Sequence, residues 1–175
     1  MTIQSKAIID TCILLDALII NFIKTEITDE NDPRRRELEL MVFDNDAIYE
    51  KKYRAFLEEI TTFVTSSQAI GELQGLSNSR LKLKDKKKII FWRISAKFLE
   101  LKNLDEHLIK LLATTANPQN SNYVFDIGFV DASLIDLARE TKLPIITNDA
   151  KTLAARAFNQ PGVDVFVPKY NFCRD

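Results

Sequence analysis

The chain has 175 residues, of which 46% are hydrophobic and 28% are charged, with only four glycines and five prolines. This balance is typical of one globular domain, here residues 1–175, and excludes a disordered or fibrous chain. The 24 lysines and arginines nearly equal the 25 acidic residues. No overall charge therefore attracts nucleic acid or a membrane, and any polyanion must bind a local patch.

The two cysteines, Cys12 and Cys173, are too few for a disulfide framework, and the apolar run around Cys12 favours a reduced, buried thiol. No basic segment leads into an apolar signal sequence, and every apolar run is shorter than the roughly 18 residues of a membrane span. The sequence therefore predicts a cytoplasmic protein without a membrane segment. Its one histidine, His107, excludes a multi-histidine zinc site, so any chemistry must use carboxylates.

Short runs rich in β-branched and apolar residues alternate with longer segments of helical periodicity. Strands are predicted at residues 6–10, 61–65, 144–147 and 164–167. Helices are predicted at residues 12–23, 67–76, 105–116, 132–141 and 151–158. Ser66 or Ser67 is expected to cap the second helix. Because strands joined by helices pair in parallel, the sequence predicts an α/β fold, a three-layer α/β/α sandwich with a central parallel sheet.

A charged segment, residues 26–59, separates the first helix from the second strand. It holds eleven acidic and six basic residues, with apolar positions at helical spacing, which indicates solvated helices. Within this segment, Pro33 after Asp32 favours the start of one helix. Residues 44–46 favour a break, followed by another helix that runs through Leu57. We interpret the segment as a helical insertion within the single domain.

Acidic residues stand at the predicted carboxyl ends of the strands. Asp10 ends the first strand and Glu72 lies in the first turns after the second, whereas Asp131 begins the helix before the third and Asp149 follows the third. In an open parallel sheet the functional crevice lies at this edge. Four clustered carboxylates repel one another unless a cation neutralises them, and oxygen ligands alone select Mg²⁺ or Mn²⁺. The pattern therefore predicts a metal site.

Each carboxylate also has a purely structural interpretation. Asp10, Asp131 and Asp149 precede helices, where an aspartate N-cap is common, and a lone glutamate such as Glu72 is typical of a solvated helix surface. Taken singly, capping is favoured for the three aspartates. The recurrence of all four at equivalent edge positions favours the site, and the apolar neighbours of Glu72 indicate that it faces inward or toward the sheet edge.

Four short motifs in this order resemble the PIN domain over nearly the whole chain. They are Ile9-Asp10-Thr11, Ser67 to Leu73, Gly128 to Ala132, and Ile146 to Asp149. The resemblance implies a PIN-like fold and a metal-dependent endoribonuclease that cuts single-stranded RNA, as in the VapC-type toxins of toxin–antitoxin pairs. Such a toxin would have RNA as its substrate and an antitoxin protein as its partner.

By the same resemblance, the catalytic and metal-binding quartet consists of Asp10, Glu72, Asp131 and Asp149. Thr11 and Thr147 match accompanying hydroxyl positions, Asn148 orients Asp149, and Asp126 is either a rival for the third acidic position or a helper beside it. About 60 residues separate Asp10 from Glu72, which is longer than in compact toxins. The excess is the segment 26–59. It weakens the toxin assignment but leaves the nuclease assignment unchanged.

Residues 80–97 form the one strongly basic segment, with eight basic residues to one acidic and several interleaved aromatics. The candidate phosphate contacts are Lys86, Lys87, Lys88 and Arg93. Trp92 or Phe91 could stack on unpaired bases. The alternative interpretation is an amphipathic helix with its lysines in solvent and its aromatics in the core.

Other functions fit the sequence less well. A haloacid-dehalogenase phosphotransferase needs a second aspartate two residues after the first, where Cys12 stands, and a receiver domain needs an acidic pair near the first strand. His107 is interpreted as a helix-surface residue rather than a catalyst. The main alternative is a PIN-like nucleic-acid or protein binding module without catalysis. An exposed apolar stripe could seat an antitoxin segment or the partner of a homodimer.

Overall fold

The computed structural model describes residues 5–107 and 128–173. The strands are β1 (Lys6–Ile9), β2 (Thr62–Ser66), β3 (Asp105–His107), β4 (Ile145–Ile146) and β5 (Val165–Phe166). The helices are α1 (Thr11–Glu26), α2 (Pro33–Phe43), α3 (Ala47–Glu59), α4 (Ser67–Leu81), α5 (Asp85–Leu101), α6 (Phe129–Thr141), α7 (Ala155–Phe158) and α8 (Pro168–Phe172). A π-helical turn, Ala150–Ala154, leads directly into α7. In the described ranges, no helix is both long and apolar enough to cross a membrane.

The five strands form one parallel sheet in the order β3-β2-β1-β4-β5. The central strand β1 pairs Ile8 with Val64 of β2 on one side and with Ile145 of β4 on the other. The chain moves outward from β1 to β3, then returns to the other side of β1 through β4. The point where the strand order reverses therefore lies between β1 and β4, where an open parallel sheet forms its functional crevice.

Alternate residues of the strands are buried against helices on opposite faces of the sheet. Ile9 packs into a cluster with α1 to α5, while its neighbour Ile8 packs into a second cluster with α6 and α7. Successive strand side chains point to opposite faces, so both faces are covered. The predicted α/β fold and three-layer sandwich with a central parallel sheet are confirmed.

The predicted helix at residues 105–116 is wrong at its start, because Asp105–His107 forms the edge strand β3. These three residues pair with Val64 to Ser66 of β2, and the Lys6 ammonium lies 2.9 Å from the Asp105 carboxylate. Pairing with a neighbouring strand overrides the polar local sequence, and edge strands tolerate charged side chains. His107 therefore ends a strand rather than lying on a helix. Residues 108–122 of the predicted helix and loop lie outside the described residues.

The charged segment forms α2 and α3 with the predicted caps. Asp32 accepts a hydrogen bond from the Arg34 N–H at 2.7 Å, and Asp46 accepts from Ile48 and Tyr49 at 3.0 and 2.9 Å. The helices are less solvated than predicted, because α3 buries aromatic side chains. Phe56 packs at ring-centroid distances of 5.0 Å from Phe166 and 5.5 Å from Phe172. The short helix α8, which the sequence did not predict, thus anchors the segment to the rest of the domain.

Candidate active site

Asp10 directly follows β1, at the place between β1 and β4 where the strand order of the sheet reverses. Asp10 is only 5% exposed and occupies the N-cap position of α1, but its side chain makes no capping hydrogen bond, so it caps the helix by position alone. Instead, the Thr147 hydroxyl donates to the Asp10 carboxylate at 2.7 Å and accepts the Asp149 N–H at 2.9 Å. One threonine therefore connects the ends of β1 and β4 through their acidic residues.

Carboxylates converge at this edge closely enough to perturb one another. Burial raises the pKa of Asp10 to about 6, and the charges of Glu72 and Asp149 add to that rise, while hydrogen bonds from Thr147 and the Thr11 N–H oppose it. Burial also raises the pKa of Asp131 to about 7, and Asp10, Asp149 and Glu72 add to it. The four predicted acidic residues therefore lie within electrostatic range of one another.

Asp149 and Asp131 differ in how they relate to their helices. Asp149 caps the π-helical turn, because its Oδ1 accepts the N–H groups of Lys151 and Thr152 at 3.2 and 2.9 Å. Asp131 instead stands in the first turn of α6, whose N-cap is Gly128, so the capping interpretation is wrong there. Both capping bonds of Asp149 end on the same oxygen. The capping role and the site role are therefore compatible in this residue.

Glu72 is exposed on α4, so the inward orientation expected for it is wrong. Its charge nevertheless acts on both Asp10 and Asp131, which places it at the sheet edge, the other orientation expected. The start of α4 explains this placement, because Ser66 at the end of β2 caps the helix by accepting the Ala69 N–H at 3.2 Å. Ser66, rather than Ser67, is therefore the cap.

The donor groups at this edge fit a hard divalent cation. Thr11, directly after Asp10, is buried, and its hydroxyl has no hydrogen-bond partner in the described part of the chain, an arrangement that a bound ion or its water would relieve. Over residues 5–107 and 128–173, no three His, Cys, Asp or Glu side chains stand close enough to enclose an ion. Binding would therefore draw the carboxylates inward. Asp126 lies outside the described residues.

A fifth carboxylate, Asp16, lies beside the site and was missed in the sequence. The Tyr53 hydroxyl donates to its Oδ2 at 3.0 Å, and burial raises its pKa to about 7. The Asn148 amide, adjacent to Asp149 in sequence, lies near enough to the Asp16 carboxylate to oppose this rise in pKa. The available signal was an aspartate inside the otherwise apolar helical run at residues 12–23.

Cys12 is partly buried rather than fully buried as expected, and Cys173 is exposed. Burial raises the pKa of the Cys12 thiol to about 12, with a further contribution from the nearby Asp10 charge. The thiol is therefore protonated at neutral pH, and a nucleophilic cysteine mechanism does not fit this site.

Two candidate RNA contacts of the basic segment, Lys87 and Arg93, lie away from the acidic edge, whereas Arg80 at the start of the segment lies near Asp16 and Cys12. Lys87 shares a groove with Phe22 of α1, and Arg93 shares one with Glu26, which places both near the far end of α1, about 20 Å from Asp10 along the helix axis. Phe91 is buried and packs edge-to-face on Phe22 at 5.4 Å. Base stacking by Phe91 is therefore wrong, and its core interpretation is correct.

Comparison with known proteins gives a match to one family. The PIN domain family model matches residues 38–159, more than half of the chain. The matched stretch contains Glu72, Asp131 and Asp149, whereas Asp10 precedes it. No curated protein and no solved structure matches the chain. PIN domains are generally metal-dependent nucleases that act on nucleic acids.

Proposed function

Because the chain belongs to the PIN domain family, we propose that it is a metal-dependent endoribonuclease that hydrolyses phosphodiester bonds of single-stranded RNA. What supports this proposal is that the charges of Glu72 and Asp149 act on both Asp10 and Asp131 near the carboxyl edge of the sheet. Clustered carboxylates destabilise a folded protein unless a cation compensates their charge. A binding site for a divalent cation would explain why these residues lie near one another. We further propose that the protein acts as the toxin of a toxin–antitoxin pair.

In this proposal the four carboxylates together hold Mg²⁺ or Mn²⁺. A bound ion of this kind activates water for attack on a phosphodiester and stabilises the leaving oxygen. Thr147 holds the Asp10 carboxylate through its 2.7 Å hydrogen bond. The buried Thr11 hydroxyl, which has no hydrogen-bond partner among the described residues, would serve as a further oxygen ligand or water contact. Asp10 and Asp131, whose pKa values are raised, release their protons when the ion binds.

Cleavage of labelled single-stranded RNA tests this function directly. We expect cutting with Mn²⁺ or Mg²⁺ and none with EDTA, because the carboxylates alone generate no nucleophile near neutral pH. Asp149→Asn should lose activity, while Asp164→Asn, which removes an exposed carboxylate before β5, should retain it. Cleavage that persists in EDTA would overturn the metal-dependent proposal, and cleavage of DNA alone would overturn the RNA assignment.

A binding module without catalysis is the second candidate. It is favoured by the absence, in the described ranges, of three acidic, histidine or cysteine side chains at ion-enclosing distance. The two candidates differ in metal response, because an ion that binds the folded state raises its melting temperature. A melting temperature unaffected by millimolar Mn²⁺ would support the binding module.

Lys86, Lys87, Lys88 and Arg93 are proposed RNA contacts outside the cleavage centre. Lys86 and Lys87 are exposed, whereas Lys88 lies 3.9 Å from the Asp85 carboxylate. At about 20 Å from Asp10 along α1, these residues would contact RNA that flanks the cleaved bond.

Replacing Lys86, Lys87 and Lys88 together by glutamate should weaken RNA binding and flatten its dependence on salt. Each lost phosphate contact on a single strand lowers the slope of log affinity against log salt by about 0.7. Fluorescence anisotropy at several salt concentrations measures both effects. Lys51→Glu, an exposed lysine on α3, serves as the control for a general charge effect. An unchanged slope in the triple variant would restrict these lysines to a role in solubility.

A further inference from the structure

Helix α3 of the charged segment contributes two tyrosine hydroxyls to the edge of the candidate active site. The Tyr53 hydroxyl donates to Asp16 Oδ2 at 3.0 Å, and the Tyr49 hydroxyl accepts from Asn148 Nδ2 at 3.3 Å. We call these four side chains, Asp16, Tyr49, Tyr53 and Asn148, the tyrosine–Asp16 network. It connects α1, α3 and the loop after β4, which are far apart in sequence.

Asn148 is the member of the network that reaches the acidic quartet, because it directly precedes Asp149. Its Oδ1 accepts the backbone N–H of Lys169 at 3.2 Å, and its amide donates to the Tyr49 hydroxyl. The same amide lies near enough to the Asp16 carboxylate to oppose the rise in the Asp16 pKa. Contacts from three different elements therefore fix this one side chain. Asp149 in turn donates its backbone N–H to Thr147, the residue that binds Asp10. A displacement of Asn148 would therefore reach both carboxylates.

The tyrosines are held rigidly enough to position the network. Tyr49 and Tyr53 are almost completely buried, and their rings stack at a centroid distance of 5.0 Å. Tyr49 also packs against Phe172 of α8 at 6.4 Å. Close packing leaves the two hydroxyls little freedom to follow a moving partner, so their positions set those of Asp16 and Asn148.

A carboxylate at position 16 requires an explanation other than packing. The neighbouring residues Leu14, Leu15, Ala17 and Leu18 are buried and apolar, and an apolar residue at position 16 would avoid the cost of desolvating a charge. We therefore interpret Asp16, which is partly buried, as a residue that contributes geometry rather than stability.

We propose that Asp16 is a positioning residue, and that through it α3 fixes Asn148 and thereby sets the Asp149 carboxylate against Asp10. The inference rests on the proposed function, since it assigns a role in that same site. By this proposal, the α2–α3 segment holds active-site residues in place and is not merely an insertion beside the site.

Tyr53→Phe tests this proposal because it removes one hydroxyl without changing charge. We expect the variant to bind Mn²⁺ about tenfold more weakly in calorimetric titration. This is the low end of the effect of losing a direct partner of a metal ligand, because Tyr53 reaches Asp149 only through Asp16 and Asn148. Its kcat on RNA should fall about 10- to 100-fold while KM stays within about twofold. Ser79→Ala, which removes an exposed hydroxyl that bonds the Leu76 carbonyl within α4, is the control and should behave as wild type.

A double-mutant cycle separates positioning from a general loss of stability. In the Asp149→Asn background, Tyr53→Phe should not weaken Mn²⁺ binding further, because the carboxylate that it positions is already gone. Additive effects of the two changes, or wild-type Mn²⁺ affinity in Tyr53→Phe, would overturn the proposal. If Tyr53→Phe fails to fold, Tyr49→Phe removes the acceptor for Asn148 and repeats the test.

Amide hydrogen exchange keeps the inference testable if the nuclease proposal fails. The Lys151 and Thr152 amides are bonded to Asp149 Oδ1, so Tyr53→Phe should accelerate their exchange at least about fivefold relative to the amides of α6. A wild-type protein that neither binds Mn²⁺ nor cuts nucleic acid would overturn the proposed function alone. Unchanged exchange at Lys151 and Thr152 would overturn the positioning role.

Discussion

Asp10→Asn should abolish RNA cleavage and also raise the melting temperature of the metal-free protein at pH 8. Loss of a metal ligand should reduce the rate at least about 100-fold, more than the loss of a partner outside the ligands. The asparagine Oδ1 can still accept the Thr147 hydroxyl that binds Asp10 at 2.7 Å. The variant therefore removes the charge and keeps the main hydrogen bond.

The expected gain in stability follows from the raised pKa. Burial raises the pKa of Asp10 from 3.8 to about 6 in the folded protein. A carboxyl whose folded pKa exceeds its unfolded value contributes its full stability below about pH 4, and that contribution is lost as the pH rises through about 6. At pH 8 the buried charge thus costs up to about 3 kcal/mol, and removing it should raise the melting temperature by up to about 6 to 12 °C.

Calorimetric melting at pH 8 without metal, together with the RNA cleavage assay, checks both effects. Asp164→Asn is the control, because it removes an exposed carboxylate and should change neither activity nor melting temperature. An Asp10→Asn protein that melts below wild type, or that retains more than about 1% of the cleavage rate, would contradict this account.

Mn²⁺ affinity should depend steeply on pH, falling by at least about 100-fold between pH 8 and pH 5.5. Burial raises the pKa of Asp10 to about 6 and that of Asp131 to about 7, so both carboxyls are mostly protonated below about pH 6. The ion must displace those protons, and each displaced proton lowers the apparent affinity about tenfold per pH unit below its pKa. The dependence should therefore be strongest below pH 6.

Calorimetric titration with Mn²⁺ at five pH values in buffers of different ionisation heat measures affinity and proton release together. Asp131→Asn should release one proton fewer and show a shallower dependence. Without metal, the melting temperature of wild type should fall as the pH rises from about 4 to 7, because both folded pKa values exceed the unfolded value. An affinity that is constant from pH 5.5 to 8 would show that neither carboxyl binds the ion.

The central part of the fold could be predicted because it depends on local pattern. The apolar run before Asp10 and the run before Thr147 form β1 and β4, and the helix after each strand follows from helical periodicity. Since parallel strands present their carboxyl ends at one edge, the convergence of Asp10 and Asp149 followed from topology alone. The edge strand β3 did not, because Asp105-Glu106-His107 carries no strand pattern and is fixed by pairing with β2.

The tyrosine–Asp16 network could not be predicted for a related reason. The hydrogen bond from Tyr53 to Asp16 spans 37 positions of sequence, and that from Asn148 to Tyr49 spans 99. Helical periodicity identifies the buried face of α3, but it does not specify which polar atom of another element that face will contact. Such a contact depends on how α1, α3 and β4 pack together, and only the assembled fold determines this.

Asp149 shows that the structural and functional interpretations of one residue need not compete. The sequence favoured capping for each aspartate taken singly, and Asp149 does cap a helical turn through Oδ1. Asp10 stands at the N-cap position of α1, but its carboxylate binds the Thr147 hydroxyl instead of the helix. Asp131 lies in the first turn of α6, after the N-cap Gly128. For Asp131 the outcome depends on where the helix begins, which sequence patterns locate only to within a few residues.

The measurement that tests the central claim most directly is calorimetric titration of Mn²⁺ into wild type and four single variants at pH 8. The variants are Asp10→Asn, Glu72→Gln, Asp131→Asn and Asp149→Asn, with Asp164→Asn as the control. If the four carboxylates jointly hold the ion, wild type and Asp164→Asn bind Mn²⁺ equally, and each quartet variant binds at least about tenfold more weakly. Absence of Mn²⁺ binding by wild type, or undiminished binding by all four variants, would contradict the account.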